Sequence, residues 1–139
     1  MKVEYKGLTD EGRLISTMLE FDKLGTPRHV AKEIILPMME RCVEVWADYK
    51  LAGYLLIFNS GGRRSFHGYK LIKGYAVFAL RAAKEFVDRY PHLYITHHTD
   101  RPEVNRFARL LGFTEINRDN QIVILEKNNV RASKEVVSV

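Results

Sequence analysis

Apolar and polar positions in this chain switch between a two-residue period and a period of roughly 3.6, and each switch marks a new element. Residues 2–6 (KVEYK) alternate, as a strand with one covered face does. Leu14, Ile15, Met18, Leu19 and Leu24 then recur at helical spacing, behind Thr9 as an N-cap with Asp10 and Glu11 in the first turn. A second helix opens at Thr26-Pro27, where a proline gives up an N–H that has no helical partner anyway. Pro37 kinks or ends that helix. Strands are expected over 43–49 and 51–58, with a tight turn near Tyr49-Lys50. Asn59-Ser60-Gly61-Gly62 is the clearest turn, and RRSFHGYK after it reads as the next strand.

The strongest helical pattern covers 75–90, with Ala76, Ala79, Leu80, Ala83, Phe86 and Val87 on one face. From Leu93 the chain reads as a short apolar strand, then a helix from about Pro102 that stops at Leu-Leu-Gly-Phe, then a hairpin ending near Leu125. Gly112 falls where a left-handed C-cap is expected, which lets Phe113 fold back on the last helical turn. The expected order is β-α-α-β-β-β-α-β-α-β-β. A single domain is expected over 1–127, with a flexible polar tail over 128–139.

Composition narrows the function classes. The chain has 139 residues, 46% hydrophobic and 28% charged, in the ordinary globular range. No apolar run reaches the roughly 20 residues that span a bilayer, and MKVEYKGLTDEGR has no apolar signal core, so a cytoplasmic location is expected. Cys42 is the only cysteine, which excludes a disulfide within the chain; it reads as a small buried apolar residue. A net charge of +5 favours anionic partners. The charges are spread along the sequence, so an anionic cofactor accounts for them as well as a nucleic acid does. G-x-S-x-G, P-loop and Cys-x-x-Cys motifs are absent. His97, His98 and Asp100 could form a zinc set only if adjacent strand residues converged, and they diverge, so no metal is expected.

The element order, the VWADYKLAGYLLIF hairpin and the helix ending in Leu-Gly-Phe together resemble the GCN5-related N-acetyltransferase (GNAT) fold over about residues 2–126. The resemblance implies an α/β (α+β) protein with a mixed, largely antiparallel central sheet flanked by helices. It implies acetyl-CoA as cofactor, an acetyl group transferred to an amine acceptor, and a pyrophosphate held on backbone N–H groups where the central helix begins, under a Gln/Arg-x-x-Gly-x-Gly/Ala pattern. The matching segment is Leu71-Ile72-Lys73-Gly74-Tyr75-Ala76. Gly74 and Ala76 fit, whereas Leu71 stands in place of Gln or Arg. Ile72, Lys73, Gly74, Tyr75, Ala76 and Lys70 are therefore the cofactor-binding candidates, with Arg63 and Arg64 as further charge.

The family's proton donor is often a tyrosine four residues before the glycine of Leu-Gly-Phe; here that position is Ala108, flanked by Phe107 and Leu110, which read as core. Replacement acid–base candidates are His67, on the strand that carries the general base in many family members, and Tyr94 and His97 on the strand beside the expected acetyl group. Trp46, Tyr54, Phe58, Phe66 and Phe78 read as core, and Arg101, Arg106, Arg109 and Arg118 as a solvated basic face. YPHLYITHHTDRPEVNRFARLLGF also resembles small GNAT-like proteins of tailed phages, which implies a virion-associated setting as an alternative. Three functions follow: an acyltransferase with an altered acid, a GNAT-fold protein that works only by binding a protein partner, or a basic nucleic-acid-binding module.

Overall fold

The alternating and helical stretches fold in the anticipated order. The computed structural model describes residues 1–21, 25–74 and 76–129; the expected contributions of Leu24, Tyr75 and the tail 130–139 lie outside the described residues. β1 (Val3–Lys6) and α1 (Glu11–Phe21) lead to α2 (Arg28–Val30), which continues as a π-helical turn (Ala31–Ile35) and a 3₁₀ turn (Leu36–Met38). β2 (Met39–Ala47), β3 (Lys50–Ser60), β4 (Arg63–Lys70), α3 (Ala76–Val87), β5 (His92–His98), α4 (Pro102–Leu110), β6 (Thr114–Arg118) and β7 (Ile122–Asn128) complete it. The sheet order is β1-β2-β3-β4-β5-β7-β6. β4 and β5 run parallel, whereas β1–β2, β2–β3, β5–β7 and β6–β7 are antiparallel. Among the described residues no helix is long and apolar enough to cross a membrane. The chain forms two compact units, Met1–Ser60 with His67–Gly74, and Gly61–Phe66 with the chain from residue 75 onward.

In the first unit Leu14 and Met18 of α1 pack on Leu51, Tyr54, Leu56, Phe58 and Tyr69, with Ile35, Leu36, Cys42, Trp46 and Leu71 at the margin. β3 is buried continuously from Leu51 to Phe58, as its unbroken apolar sequence requires. Thr9 does not cap α1. Asp10 does, accepting the Arg13 N–H at 3.0 Å. Thr9 is committed elsewhere: its N–H and hydroxyl both donate to Glu44, each at 2.8 Å. Glu44 is only 1% exposed, and the Trp46 indole N–H also donates to it, at 3.1 Å. Burial pushes the Glu44 carboxyl upward, but donation from Thr9, Trp46 and the Asp10 backbone outweighs it and holds the group below the usual carboxylate range.

The β2–β3 turn falls on Asp48 and Tyr49, one residue earlier than expected, and both have left-handed φ, 48° and 66°. Two such residues give the turn a twist that matches the flanking strands. β2 starts at Met39, four residues ahead of expectation, because the helical stretch around Pro37 passes directly into the strand. The pairing shifts between Val45↔Gly53 and Trp46↔Leu51, so Ala52 is an extra residue in β3. Its carbonyl accepts the Leu71 N–H at 2.8 Å, which fixes where the chain leaves β4. A Cβ on Gly53 would collide with the Tyr69 carbonyl oxygen.

The second unit is organised around the end of α4. Gly112 has φ +98°. The Phe113 N–H donates to the Ala108 carbonyl and the Gly112 N–H to the Arg109 carbonyl, both at 3.0 Å, the paired bonds of a Schellman stop. Above this stop lies the ammonium of Lys127, a residue 7% exposed, which donates to the Leu111 carbonyl at 2.7 Å and pairs with Asp88 at 2.7 Å. A Cβ on Gly112 would stand 2.8 Å from that nitrogen. α3 stops at Val87, before the expected 90, and Asp88 just beyond it reaches Lys127. Desolvation alone would raise the Asp88 carboxyl; donation from Lys127 overrides this and lowers it.

Gly112→Ala is expected to lower stability by more than Gly61→Ala, measured as urea midpoints. Both glycines have positive φ, which costs a side chain about 1–2 kcal/mol, but only at Gly112 must a buried ammonium also move. Equal losses would show that the Lys127 contact contributes nothing. Glu44→Gln is expected to cost about 2 kcal/mol at neutral pH. Because the folded carboxyl lies below its unfolded value, that contribution is complete above the unfolded value of about 4.3 and fades as pH falls through the folded one. Stability curves of the two proteins should therefore converge only in acid.

Candidate functional site

Lys70 ends β4, and Lys73 and Gly74 follow it, all three exposed. Leu71 and Ile72 are half-buried. Leu71 packs at the margin of the first unit's core and donates its N–H to Ala52, so the residue that departs from the expected Gln or Arg anchors the segment by apolar contact and a backbone bond. Gly74 has φ +80°, and a Cβ there would meet nothing within 4 Å. Backbone conformation rather than crowding calls for glycine, and the bare backbone is open to a ligand. α3 begins at Ala76, and the first N–H groups of a helix lack partners inside it. Lys70, Lys73 and the left-handed backbone at Gly74 are groups of the kind that can meet phosphate oxygens.

Tyr94 and His97, two of the three acid–base candidates, face opposite ways on β5. Leu93, Ile95 and His97 are buried, whereas Tyr94 is half-buried and Thr96 and His98 exposed. His97 is locked: its Nδ1 lies 2.7 Å from the His98 carbonyl, which can only accept, so Nδ1 carries the proton. Nε2 then accepts from the Asn105 amide at 3.1 Å, and Asn105 Oδ1 accepts from Arg109 Nε at 2.8 Å. His97 thus ties β5 to α4. His67, on β4, is half-buried with its ring edge-on to Phe58 at 5.0 Å. Tyr94 carries the Arg63 guanidinium over its ring, 3.8 Å from the centroid, and lies 4.6 Å from the His92 ring.

Ala108 is fully buried in α4. Leu110 is not core as expected but 63% exposed, because α4 turns Leu111 inward just before its stop. The basic face is partly neutralised: Glu115 binds Arg118 at 2.6 Å and approaches Arg109 at 3.9 Å. The Cys42 thiol is pushed up to about 12, chiefly by burial and then by the Glu44 charge, which leaves it protonated and unreactive at neutral pH. Sequence reading missed Glu44, Lys127 and the Arg63–Tyr94 stack. Glu44 and Lys127 are charged residues inside apolar strand patterns, and that was their only signal; the stack depends on the parallel register Ser65↔Tyr94.

No family model matches the sequence, and no curated protein matches it. Solved structures do. SpeG spermidine N-acetyltransferase from Vibrio cholerae, as a point mutant, aligns with a TM-score of 0.70 at 11% identity, over 96% of this chain and 98% of that one. PseH N-acetyltransferase from Campylobacter jejuni, in complex with acetyl coenzyme A, aligns at 0.63 and 12%, over 91% and 99%. PaiA N-acetyltransferase from Thermoplasma acidophilum, in complex with coenzyme A, aligns at 0.63 and 16%, over 92% and 99%. The chain has the GNAT fold.

Asn105→Leu removes the donor to buried His97 and is expected to cost about 1–3 kcal/mol. Arg106→Ala, an exposed change on the same helix, should stay within about 0.5 kcal/mol. Equal urea midpoints for the two variants would show that the His97–Asn105 bond does not hold α4.

Proposed function

We propose that the chain is an acyl-CoA-dependent N-acetyltransferase that moves an acetyl group to an amine. The observation that carries this reading is the segment Leu71–Gly74 ahead of α3, in a fold that N-acetyltransferases share over nine-tenths of the chain. Lys70, Ile72, Lys73, Gly74 and the backbone at Ala76 would hold the diphosphate, and Tyr75 belongs to the same stretch of sequence. Bound acetyl-CoA would supply a thioester, whose carbon–sulfur bond is exchanged for a carbon–nitrogen bond.

His67 takes up, directly or through water, the proton that the amine nitrogen loses. The Tyr94 hydroxyl would donate the proton that a leaving thiolate needs, the task for which Ala108 has no group. His97, with both ring nitrogens engaged, holds β5 against α4 and does not carry protons in this reading. The setting is cytoplasmic.

Acetyl-CoA at millimolar concentration is expected to raise the unfolding midpoint by several degrees, since a ligand at about 100 times its Kd contributes about 2.7 kcal/mol. Gly74→Val should abolish that rise, because a side chain both strains the left-handed backbone and covers it. His67→Ala should lower thiol release from acetyl-CoA in the presence of amine by about 10²–10⁴-fold. An unchanged midpoint in the wild-type protein would contradict cofactor binding; unchanged turnover in His67→Ala would remove that histidine from the chemistry.

A further inference from the structure

On β5 and β7 of the second unit one face is buried and the other is half-buried or exposed. Leu93, Ile95 and His97 of β5 and Val123, Leu125 and Lys127 of β7 are buried. The opposite face presents His92, Tyr94, Thr96 and His98, paired in register with Asn128, Glu126, Ile124 and Ile122. Arg63 of β4 joins this face, two residues before the Ser65 that stands beside Tyr94.

The guanidinium carbon of Arg63 sits over the Tyr94 ring, 3.8 Å from its centroid, and among the described residues the group makes no hydrogen bond or ion pair. Stacking fixes the plane of a guanidinium while leaving its N–H donors pointing outward in that plane, the arrangement that receives a carboxylate through two parallel bonds. Tyr94 is itself backed by His92, whose Nε2 is 2.8 Å from Glu126 Oε2. Among the described residues of β5 and β7, Glu126 is the one carboxylate on this face and its Oε2 is engaged by His92, while Arg63 of β4 is a cation without a hydrogen bond or ion pair. Among the described residues a polycationic amine meets only the engaged Glu126 on this face, whereas a carboxylate meets a guanidinium with unused N–H donors.

We propose that Arg63, stacked on Tyr94, is the subsite that recognises a carboxylate on the acceptor, so that the acceptor class is an amine bearing a carboxylate, as amino acids and peptide ends do. The assignment rests on the acetyltransferase reading for the word acceptor, but the carboxylate site itself does not need turnover.

Two measurements separate these claims. In the first, the Arg63 Nε–Hε signal of ¹⁵N-labelled protein is followed as phenylalanine, phenethylamine or inorganic phosphate is added. Phenylalanine should shift it saturably and phenethylamine should not. No saturable shift with phenylalanine, or an equal one with phosphate, overturns the carboxylate site. In the second, thiol release from acetyl-CoA is compared for phenylalanine, phenethylamine and spermidine. Phenylalanine should be preferred in kcat/KM, and Arg63→Met should reduce the phenylalanine-to-phenethylamine ratio by about 10- to 100-fold, the range expected for charge-assisted hydrogen bonds. Arg63→Lys, which keeps the charge and loses the fork, should recover only part of the ratio. A preference for spermidine, or a ratio unaltered in Arg63→Met, overturns the acceptor assignment. A shifted Arg63 signal with no thiol release for any amine would leave the carboxylate site standing, and would overturn both the acceptor assignment and the acetyltransferase reading on which it rests.

Discussion

A lysine ammonium buried against a left-handed glycine is the constraint from which the second unit follows. Lys127 gives up water and regains two partners, the Leu111 carbonyl at the end of α4 and the Asp88 carboxylate just past α3. A cation suits that position because a helix C-terminus is negative. Gly112 is required twice over, for its φ of +98° and for the space the ammonium occupies. One contact thus stops α4, anchors the chain just beyond α3 and fixes β7. The β5–β7 register then puts Glu126 opposite Tyr94, and with it the stack that holds Arg63.

The first unit solves a parallel problem with the opposite charge. Glu44 is buried opposite Tyr54, and its oxygens are satisfied by Thr9 and Trp46. Such a carboxylate is stable only because charged acceptors form strong bonds when fully partnered, and it ties the entry of α1 to the middle of β2. From that strand pair the route to the proposed cofactor segment is short. The extra residue Ala52 turns a carbonyl toward Leu71, and Leu71 settles on the core. A Gln or Arg at that position would supply polarity; here leucine supplies anchorage, and the exposed Lys70 and Lys73 carry the charge.

Period and turn chemistry made most of the fold legible. The Gly61-Gly62 turn, the left-handed Gly112 and the strand over RRSFHGYK form where the residues imply them, because each rests on local geometry. The N-cap falls on Asp10 rather than Thr9 because aspartate is the better cap and the distant Glu44 engages Thr9. Leu110 was misread because the end of a helix can turn either of two adjacent leucines inward. The site was less legible for a related reason. His97 is visible as a histidine, but its engagement by Asn105 and His98 depends on how α4 meets β5, and the Arg63–Tyr94 stack depends on register between strands almost thirty residues apart.

Gly74 is the position on which fold and proposed chemistry meet, since its φ of +80° calls for glycine although a Cβ there would meet nothing within 4 Å. The most direct test is a titration of ¹⁵N-labelled protein with acetyl-CoA, followed at individual amide signals. The account predicts saturable movement of the Lys73, Gly74 and Val77 amides, while those of Glu115 to Arg118 stay in place. Unmoved Gly74 and Val77 amides at millimolar acetyl-CoA would contradict it.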